Sequence, residues 1–334
     1  MTPIEFISSS DFAIGVDIGG TKINAGIIDR NGQILLQHHL PTLAKQGEVL
    51  NQVKTLISKL LNEYHYSFDG TSLKGIGIGS AGQIDWNKGS IRYANSLIPG
   101  YTGTKLKDEL EHEFTASVIV DNDVNCLALT EKYLGAAQNK RNVICLTLGT
   151  GVGGAILIDG KIIHGAWGGA AEIGHMTVDF NGVPCHCGSI GCLEQYASGT
   201  GIAWRMQELL MKQGIGTTPI EAKKIIADWI KGDPTAALVM NQAIAALGSA
   251  IASLVHIFNP EAIIIGGGVA EAGAPLIDGI KAEMKKRAMS SLVEGVDIFA
   301  AYKGNLGGMI GAALQLWEYD EIGTKVNLQS ADKI

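Results

Sequence analysis

The sequence has no run of more than three basic residues, and charged residues make up only 18% of its 334 positions. Lys and Arg number 26 against 33 Asp and Glu, which gives a formal net charge of −7. Surfaces that bind nucleic acid or anionic membranes need clustered positive charge. We therefore expect neither nucleic acid nor a membrane as a partner.

Three further features are missing. The amino-terminal residues lack the basic segment and apolar stretch of a secretory signal peptide. The five cysteines do not form a disulfide framework, because their number is odd and three of them crowd into residues 185–192. The longest uncharged run, residues 234–260, could span a bilayer, but polar residues such as Asn241 and Ser249 interrupt it and favour a buried helix. Together with the chain length, these features predict a cytoplasmic protein of two domains.

Glycine is abundant, with 44 residues in 334, against roughly 7% in an average protein. No G-x-y period accompanies the glycines, which excludes a collagen-like chain. Residues 12–36 and 143–163 share one design: an apolar strand, a Gly/Thr turn, a second apolar strand and a further turn. In the first copy, Asn31-Gly32 predicts a hairpin turn. This internal repeat predicts two related domains.

Helical patterns separate the apolar strands. Asp233 and Pro234 supply an N-cap and a first-turn proline for one of them. A strand at 262–265 leads into three glycines. Such alternation predicts an α/β protein with largely parallel sheets. Helices are expected at residues 48–64, 234–258, 275–288 and 307–319.

Three glycine-rich turns are candidates for binding phosphate, because backbone N–H groups can approach phosphate oxygens closely where no side chain intervenes. Asp17, at a strand end, could in addition hold Mg²⁺. No Walker loop is present, and each of the two hairpin turns joins two strands, unlike the G-x-G-x-x-G turn of a dinucleotide-binding unit, which links one strand to a helix. The alternative is a set of ordinary tight turns, which is less favoured for a duplicated unit. The candidate nucleotide-binding residues are Asp17, Gly19, Gly20, Thr21, Lys22, Gly149, Thr150, Gly151, Gly153, Gly266, Gly267 and Gly268.

A cluster of cysteines and histidines predicts a metal site. Cys185, Cys187 and Cys192 with one imidazole form a set of three thiolates and one nitrogen, which suits a closed, structural zinc site. Two histidines, His175 and His186, compete for the fourth position. Such a site keeps no open position for water, so the metal is expected to order its loop rather than to catalyse.

An acidic sequence follows the apolar strand predicted at 118–120. It reads Asp121-Asn122-Asp123, and a helix is expected after it. Ligands of α/β folds bind at strand carboxyl ends, and phosphoryl transfer needs a carboxylate to receive the hydroxyl proton. Asp123 is the candidate base. The competing interpretation, that Asp123 is only a helix N-cap, is equally favoured by the residues alone.

The motifs DIGGTK, GTGVGG and IIIGGGV, in this order, resemble those of the sugar kinase/hsp70/actin fold. Within that fold, residues 12–318 resemble the ROK family of bacterial sugar kinases and repressors. The resemblance implies an α/β fold of two ribonuclease-H-like (actin-like ATPase) lobes that close on ATP and a sugar. The expected lobes are residues 1–122 with the C-terminal helix 307–320, and residues 123–306. It also implies a homodimer.

The resemblance further implies roles for single residues. The family pattern G-E-I-G-H…C-x-C-G-x-x-G-C-x-E points to His175 as the fourth zinc ligand and leaves His186 outside the metal shell. Asp123 becomes the base, although Asp121 stands where Glu is usual. Ala171 replaces the common glycine before Glu172, which leaves open whether the sugar carries an acyl group. The implied sugar contacts are Gly82, Asn95, Asn122, Asp123, Glu172, His175 and Glu194.

These features predict an ATP- and Mg²⁺-dependent sugar kinase that phosphorylates the 6-hydroxyl of an aldohexose, with glucose preferred. The alternatives are an N-acylhexosamine, with N-acetylmannosamine first, or a β-glucoside. A ROK repressor would need a winged helix-turn-helix, which the sixteen non-basic residues before Asp17 do not supply. A sugar sensor without turnover is disfavoured by Asp17, Lys22 and Asp123. The tail after Tyr319 carries no clear signal.

Overall fold

The computed structural model describes residues 12–67, 73–94, 98–215 and 218–331. They form two compact units. The first unit comprises the residues up to Leu134, His164–Gly169 and the residues from Leu306 onward. The second unit comprises Gly135–Ile163 and Ala170–Asn305. The two units are described separately.

Strands form at the predicted apolar runs, and four further strands, at residues 76–80, 83–85, 90–93 and 297–300, were not predicted. The strands are β1 (Phe12–Ile18), β2 (Lys22–Asp29), β3 (Ile34–Pro41), β4 (Ile76–Ser80), β5 (Gln83–Asp85), β6 (Ser90–Tyr93), β7 (Val118–Asn122), β8 (Val143–Leu148), β9 (Val152–Ile158), β10 (Lys161–Ile162), β11 (Ala262–Gly266) and β12 (Asp297–Ala300).

The helices include the four expected from the sequence. They are α1 (Val49–Ser67), α2 (Leu106–Phe114), α3 (Asp123–Leu134), α4 (Glu194–Ala197), α5 (Gly199–Lys212), α6 (Ala222–Ile230), α7 (Pro234–Phe258), α8 (Ala274–Arg287), α9 (Ser290–Val293) and α10 (Gly307–Ala331). The last helix therefore continues twelve residues beyond Tyr319, into a segment for which no helix was predicted.

Both units are built on five-stranded sheets of the same connectivity. The strand orders are β3-β2-β1-β4-β7 in the first unit and β10-β9-β8-β11-β12 in the second. In each sheet the first three strands form an antiparallel meander and the other two run parallel to its first strand. Between β2 and β3, Gly32 takes a φ of 78° in the predicted turn. The internal repeat and the α/β class are confirmed.

Helices cover both faces of the first sheet. Ile14 and Val16 of β1 pack in one cluster with Leu60 of α1, whereas Ala13 packs with Met309 of α10. Alternate residues of one strand thus enter two different cores, which explains why β1 is uncharged from Phe12 to Val16.

The long apolar helix α7 is a core helix of the second unit. Asp233 caps it by accepting the N–H of Ala236 at 2.7 Å. Leu247 and Ile251 are fully buried against β8 and the neighbouring helices. By length and composition α7 could cross a membrane, but most of its apolar stretch is buried inside the protein. The prediction of a buried helix is confirmed.

Helix α10 lies so close to the first sheet that side chains are excluded. A Cβ atom at Gly77 of β4 would collide with the carbonyl oxygen of Ala312. A Cβ at Gly311 would collide with the carbonyl oxygen of Cys126 in α3. Because α3 packs on α10, it belongs to the first unit, whereas the predicted lobe boundary at residue 122 had assigned it to the second. The segment His164–Gly169 differs from the predicted boundary in the same way.

We expect Gly77→Ala to lower the free energy of unfolding by about 1–3 kcal/mol, because an added methyl group forces the helix and the sheet apart. Thermal unfolding measures the change. The matched control is Gly295→Ala, since a Cβ there meets no atom within 4 Å. A Gly77→Ala protein that unfolds at the wild-type temperature would show that the helix and sheet are not in close contact.

Candidate active site and metal site

Acidic side chains of the first unit meet at one edge of its sheet. Asp17 of β1 lies opposite Gly79 of β4, and Gly79 lies opposite Asp121 of β7. A Cβ at Gly79 would lie 2.9 Å from the Sγ of Cys126, so the absence of a side chain leaves room for the first turn of the helix that follows β7. The three parallel strands therefore bring Asp17 and residues 121–123 to the edge where α/β folds bind ligands.

Asp17 is suited to binding a cation. Burial, and then the negative charge of Asp123, raises the pKa of Asp17 to about 7, against the opposing hydrogen bond from Asn24 and the charge of Lys22. Asn24 Nδ2 lies 3.5 Å from Asp17 Oδ2. Two carboxylates that disfavour each other's ionisation are both stabilised as anions by a divalent cation. The residues present therefore fit Mg²⁺, whose preferred ligands are oxygens.

The turn after β7 resolves a question that the sequence left open. Asn122 Oδ1 accepts the N–H of Val124 at 2.9 Å and that of Asn125 at 3.4 Å, which is the hydrogen bonding of a helix N-cap. Asp123 Oδ1 also accepts the Val124 N–H, at 3.0 Å. Asn122 is therefore the cap of α3, and capping does not account for the carboxylate at position 123.

The structure brings three predicted sugar-binding residues together in the first unit. Asn122 Nδ2 donates to the carbonyl oxygen of Gly82 at 3.2 Å, and Asp123 follows directly in the chain. Gly82 has a φ of 102°, in the region that favours glycine. Asn95, the other sugar contact expected from this half of the chain, lies outside the described residues.

Sequence reasoning missed His164. Its Nε2 lies 2.7 Å from Asp121 Oδ2, and its ring stacks on Trp86 with centroids 4.5 Å apart. Asp121 had been noted only as a shortened homologue of Glu. No spacing rule connects residues 43 positions apart, so no signal in the sequence pointed to this pair.

Two predicted phosphate turns lie side by side in the second unit. The turn between β8 and β9 is closed by the N–H of Gly149, which donates to the carbonyl of Gly151 at 2.9 Å. Because β11 runs parallel beside β8, the turn 266–268 follows at the same edge of the sheet. A Cβ at Gly267 would lie 2.5 Å from the Leu148 carbonyl oxygen, whereas Cβ positions at Gly149 and Gly268 face open space. The backbone at Gly149 and Gly268 is thus open on the side where a side chain would stand.

Gly151 also has a packing role that the sequence did not show. Glu194 Oε2 accepts the N–H of Val152 at 2.9 Å, and a Cβ at Gly151 would collide with that oxygen. The other oxygen, Oε1, lies 3.3 Å from His186 Nε2. Glu194 is therefore held between the turn after β8 and the cysteine-rich loop.

The cysteine-rich loop has the geometry of a zinc site. The ligand atoms of His175, Cys185, Cys187 and Cys192 all lie within 4.8 Å of one another. Cys187 Sγ and Cys192 Sγ are 3.7 Å apart, close to the ~3.8 Å that a tetrahedral ion with Zn–S bonds of about 2.3 Å requires. His175 presents Nδ1, at 3.8 Å from Cys185 Sγ. The residues fit structural zinc.

His186 lies beside this set. Its Nδ1 is 4.0 Å from Cys185 Sγ. It also belongs to a second group of possible ligands, with His175 and Glu194. Only His175 lies within 4.8 Å of all three sulfurs, so the geometry favours His175 as the fourth ligand, as the sequence pattern implied.

The loop before His175 explains why glycine is common at position 171. Ala171 has a φ of 64°, in the left-handed region that a side chain disfavours. Glu172 follows, and a short 3₁₀ helix then spans Ile173–His175. A Cβ at Gly174 would collide with the carbonyl oxygen of Val152. Contact with β9 therefore fixes the segment that carries Glu172 and His175.

Comparison with known proteins gives a consistent result. A model described as "ROK family" matches residues 13–318. The glucokinase of Halalkalibacterium halodurans is 38% identical over 318 residues, which cover 91% of this chain and 94% of that protein. The N-acetyl-D-glucosamine kinase of Citrobacter koseri is 33% identical and covers 90% of this chain and 97% of its own. A solved ROK family glucokinase from Streptomyces griseus, in complex with glucose and AMPPNP, is 33% identical with a TM-score of 0.77, covering 90% of this chain and 98% of that one.

We expect the purified protein to carry about one zinc ion per chain, because its four ligand atoms are already clustered. Cys187→Ser should lose the metal and lower the unfolding temperature, since metal binding and folding of such a loop are coupled. Elemental analysis and thermal unfolding measure the two effects. His186→Ala is the control and should keep its zinc. Zinc lost in His186→Ala but retained in His175→Ala would reverse the ligand assignment.

Proposed function

Since the chain belongs to the ROK family, we propose that it is a glucokinase that transfers the γ-phosphoryl group of ATP to the 6-hydroxyl of glucose. The observation that carries the proposal is the acidic pair of Asp17 and Asp123, which the parallel strands bring to one edge of the first sheet. The preference for glucose rests on the similarity to glucokinases over nine-tenths of the chain.

Asp123 is proposed as the general base. Its carboxylate accepts the proton of the 6-hydroxyl while that oxygen attacks the γ-phosphorus, and ADP leaves. Asp123 is the first residue of α3, where the helix dipole favours a negative charge. A cation bound at this edge would offset the repulsion between Asp17 and Asp123.

The nucleotide is proposed to bind through backbone groups and two charges. The turns at Gly19–Lys22, Gly149–Gly151 and Gly266–Gly268 donate N–H groups to phosphate oxygens. Asp17 holds Mg²⁺, directly or through water. The ion neutralises charge on the phosphates when it is bound, and Lys22 adds a positive charge nearby.

The sugar is proposed to contact Gly82, Asn95, Asn122 and Asp123 and, from the second unit, Glu172, His175 and Glu194. Carboxylate and amide groups form hydrogen bonds with sugar hydroxyl groups. A site built from them rejects sugar analogues that lack a hydroxyl, because the protein group is then left unpaired. Zinc would act structurally here. With Nδ1 of His175 directed at the thiol groups, its other ring nitrogen remains for the substrate.

A second candidate function is the phosphorylation of an N-acylhexosamine. It is favoured by the 33% identity to an N-acetyl-D-glucosamine kinase. The loop at Ala171 and Glu172 is where the two possibilities differ, since the family resemblance implies that it lies near C2 of the sugar.

We also propose, on the family resemblance alone, a homodimer located in the cytoplasm.

The test is a steady-state screen with ATP and Mg²⁺. The sugars are glucose, mannose, N-acetylglucosamine, N-acetylmannosamine, fructose and a β-glucoside, and the readout is ADP release. We expect the highest kcat/KM for glucose, with at least about tenfold discrimination against N-acyl sugars if hydroxyl contacts at C2 are specific. A higher value for an N-acyl sugar would replace glucose by the second candidate. Sugar binding without ADP release would identify a sensor instead.

We expect Asp123→Asn to lower kcat by about 10²–10⁴-fold, because the amide keeps the size of the side chain but cannot accept the proton. Sugar affinity, measured by calorimetry, should change far less. Asp278→Asn, at an exposed position of α8, is the matched control and should retain wild-type turnover. Asp123 is not the base if its Asn variant keeps kcat/KM within threefold of wild type.

A further inference from the structure

Residues 164–169 form a short segment that belongs to the first unit. The residues on either side, Ile163 and Ala170, belong to the second unit. This segment packs against the β5–β6 hairpin. A Cβ at Gly168 would collide with the carbonyl oxygen of Ile84 in β5, and the Arg92 guanidinium of β6 lies 4.2 Å from the centre of the Trp167 ring. The segment that begins with His164 is therefore held firmly against this unit.

The imidazole of His164 is oriented by two contacts. Its ring stacks on Trp86, with centroids 4.5 Å apart and an interplanar angle of 18°. Trp86 stacks in turn on Tyr319 of α10, with centroids 6.0 Å apart. Nε2 lies 2.7 Å from Asp121 Oδ2, and it carries the donated proton because its partner is a carboxylate oxygen. Only 15% of the His164 side chain and 4% of that of Asp121 are exposed, so solvent does not weaken this interaction.

Asp121 transmits this contact to the turn that carries the base. Its Oδ1 accepts the backbone N–H of Asn122 at 2.7 Å and the side-chain Nδ2 of Asn125 at 2.8 Å. One carboxylate thus connects His164 to the residue before Asp123 and to the first turn of α3. Without the imidazole, the buried Oδ2 of Asp121 would lose its hydrogen-bond donor. An unpaired buried carboxylate oxygen is energetically costly, so Asp121 and the turn after β7 would be expected to shift.

We propose that His164 is a positioning residue for phosphoryl transfer, which holds Asp121 and thereby fixes the turn from which Asp123 receives the proton. The inference rests on the proposed function. Phosphoryl transfer depends on the placement of the reacting groups, and an error of about 1 Å can cost on the order of 100-fold in rate. The expected signature is therefore a loss in kcat rather than in substrate affinity.

Two substitutions separate the hydrogen bond from the ring. His164→Phe keeps an aromatic ring to stack on Trp86 but removes the donor, whereas His164→Gln keeps a donor near the position of Nε2 and removes the ring. We expect kcat for glucose phosphorylation to fall about tenfold in His164→Phe, with both KM values within about twofold, and to stay within about threefold of wild type in His164→Gln.

Asp121→Asn tests the same link from the other side and changes the volume of the side chain little. It should lower kcat by a factor similar to that of His164→Phe. The double variant should lose no more than either single variant, because both changes break one connection. If His164→Phe fails to fold, Asp121→Asn and His164→Gln still carry the test.

His38→Phe is the matched control. His38 Nε2 of β3 forms the same kind of pair, 2.8 Å from Glu63 Oε2 of α1. Strand β3 is separated from β7 by three strands, so this pair is remote from the base. His38→Phe should keep the wild-type kcat.

Wild-type turnover separates this inference from the proposed function. If wild-type protein phosphorylates none of the sugars, the proposed function fails. If wild type turns over and His164→Phe matches it, His164 does not position the base. Equal losses in His164→Phe and His164→Gln, additive losses in the double variant, or a raised KM at unchanged kcat would each overturn the proposal as well.

Discussion

The parallel alignment of β1, β4 and β7 places two carboxylates, Asp17 and Asp123, near each other at one sheet edge, and much of the first unit serves this arrangement. Burial and mutual repulsion make two neighbouring anions costly, which the raised pKa of Asp17 reflects. A site of this kind is more stable with a cation than without one. The same electrostatic repulsion would favour binding of the metal–nucleotide complex proposed above.

Glycine serves two different purposes in this chain. In the turns at Gly149 and Gly268 it leaves backbone open to a ligand. At Gly77 and Gly311 it lets α10 approach the sheet and α3 at backbone-contact distance. The second purpose matters for the first unit because α3 begins with the proposed base, and its place is set by the helix packed behind it. The abundance of glycine therefore reflects close packing as much as phosphate binding.

The cysteine-rich loop of the second unit connects the proposed zinc site to Glu194, a proposed sugar-binding residue. Its Cys₃His set lies beside Glu194, whose two oxygens are held by the Val152 N–H and His186. The position of the Glu194 carboxylate is therefore set both by β9 and by the cysteine-rich loop. We expect loss of zinc to weaken sugar binding, because the loop that the metal would order helps to orient Glu194.

The sequence by itself determined the features that depend on neighbouring residues. Apolar runs located β1–β3 and β7–β11 together with α1, α7 and α8. The repeat of Gly/Thr turns indicated two related sheets, and the spacing of Cys185, Cys187 and Cys192 indicated a metal. Only the tertiary structure decided the rest. It assigned the cap of α3 to Asn122 and moved α3 into the first unit. It also paired Asp121 with His164, 43 residues away. Local patterns report which side of an element is buried, whereas a contact between distant residues depends on how whole elements pack, and no spacing within the chain encodes it.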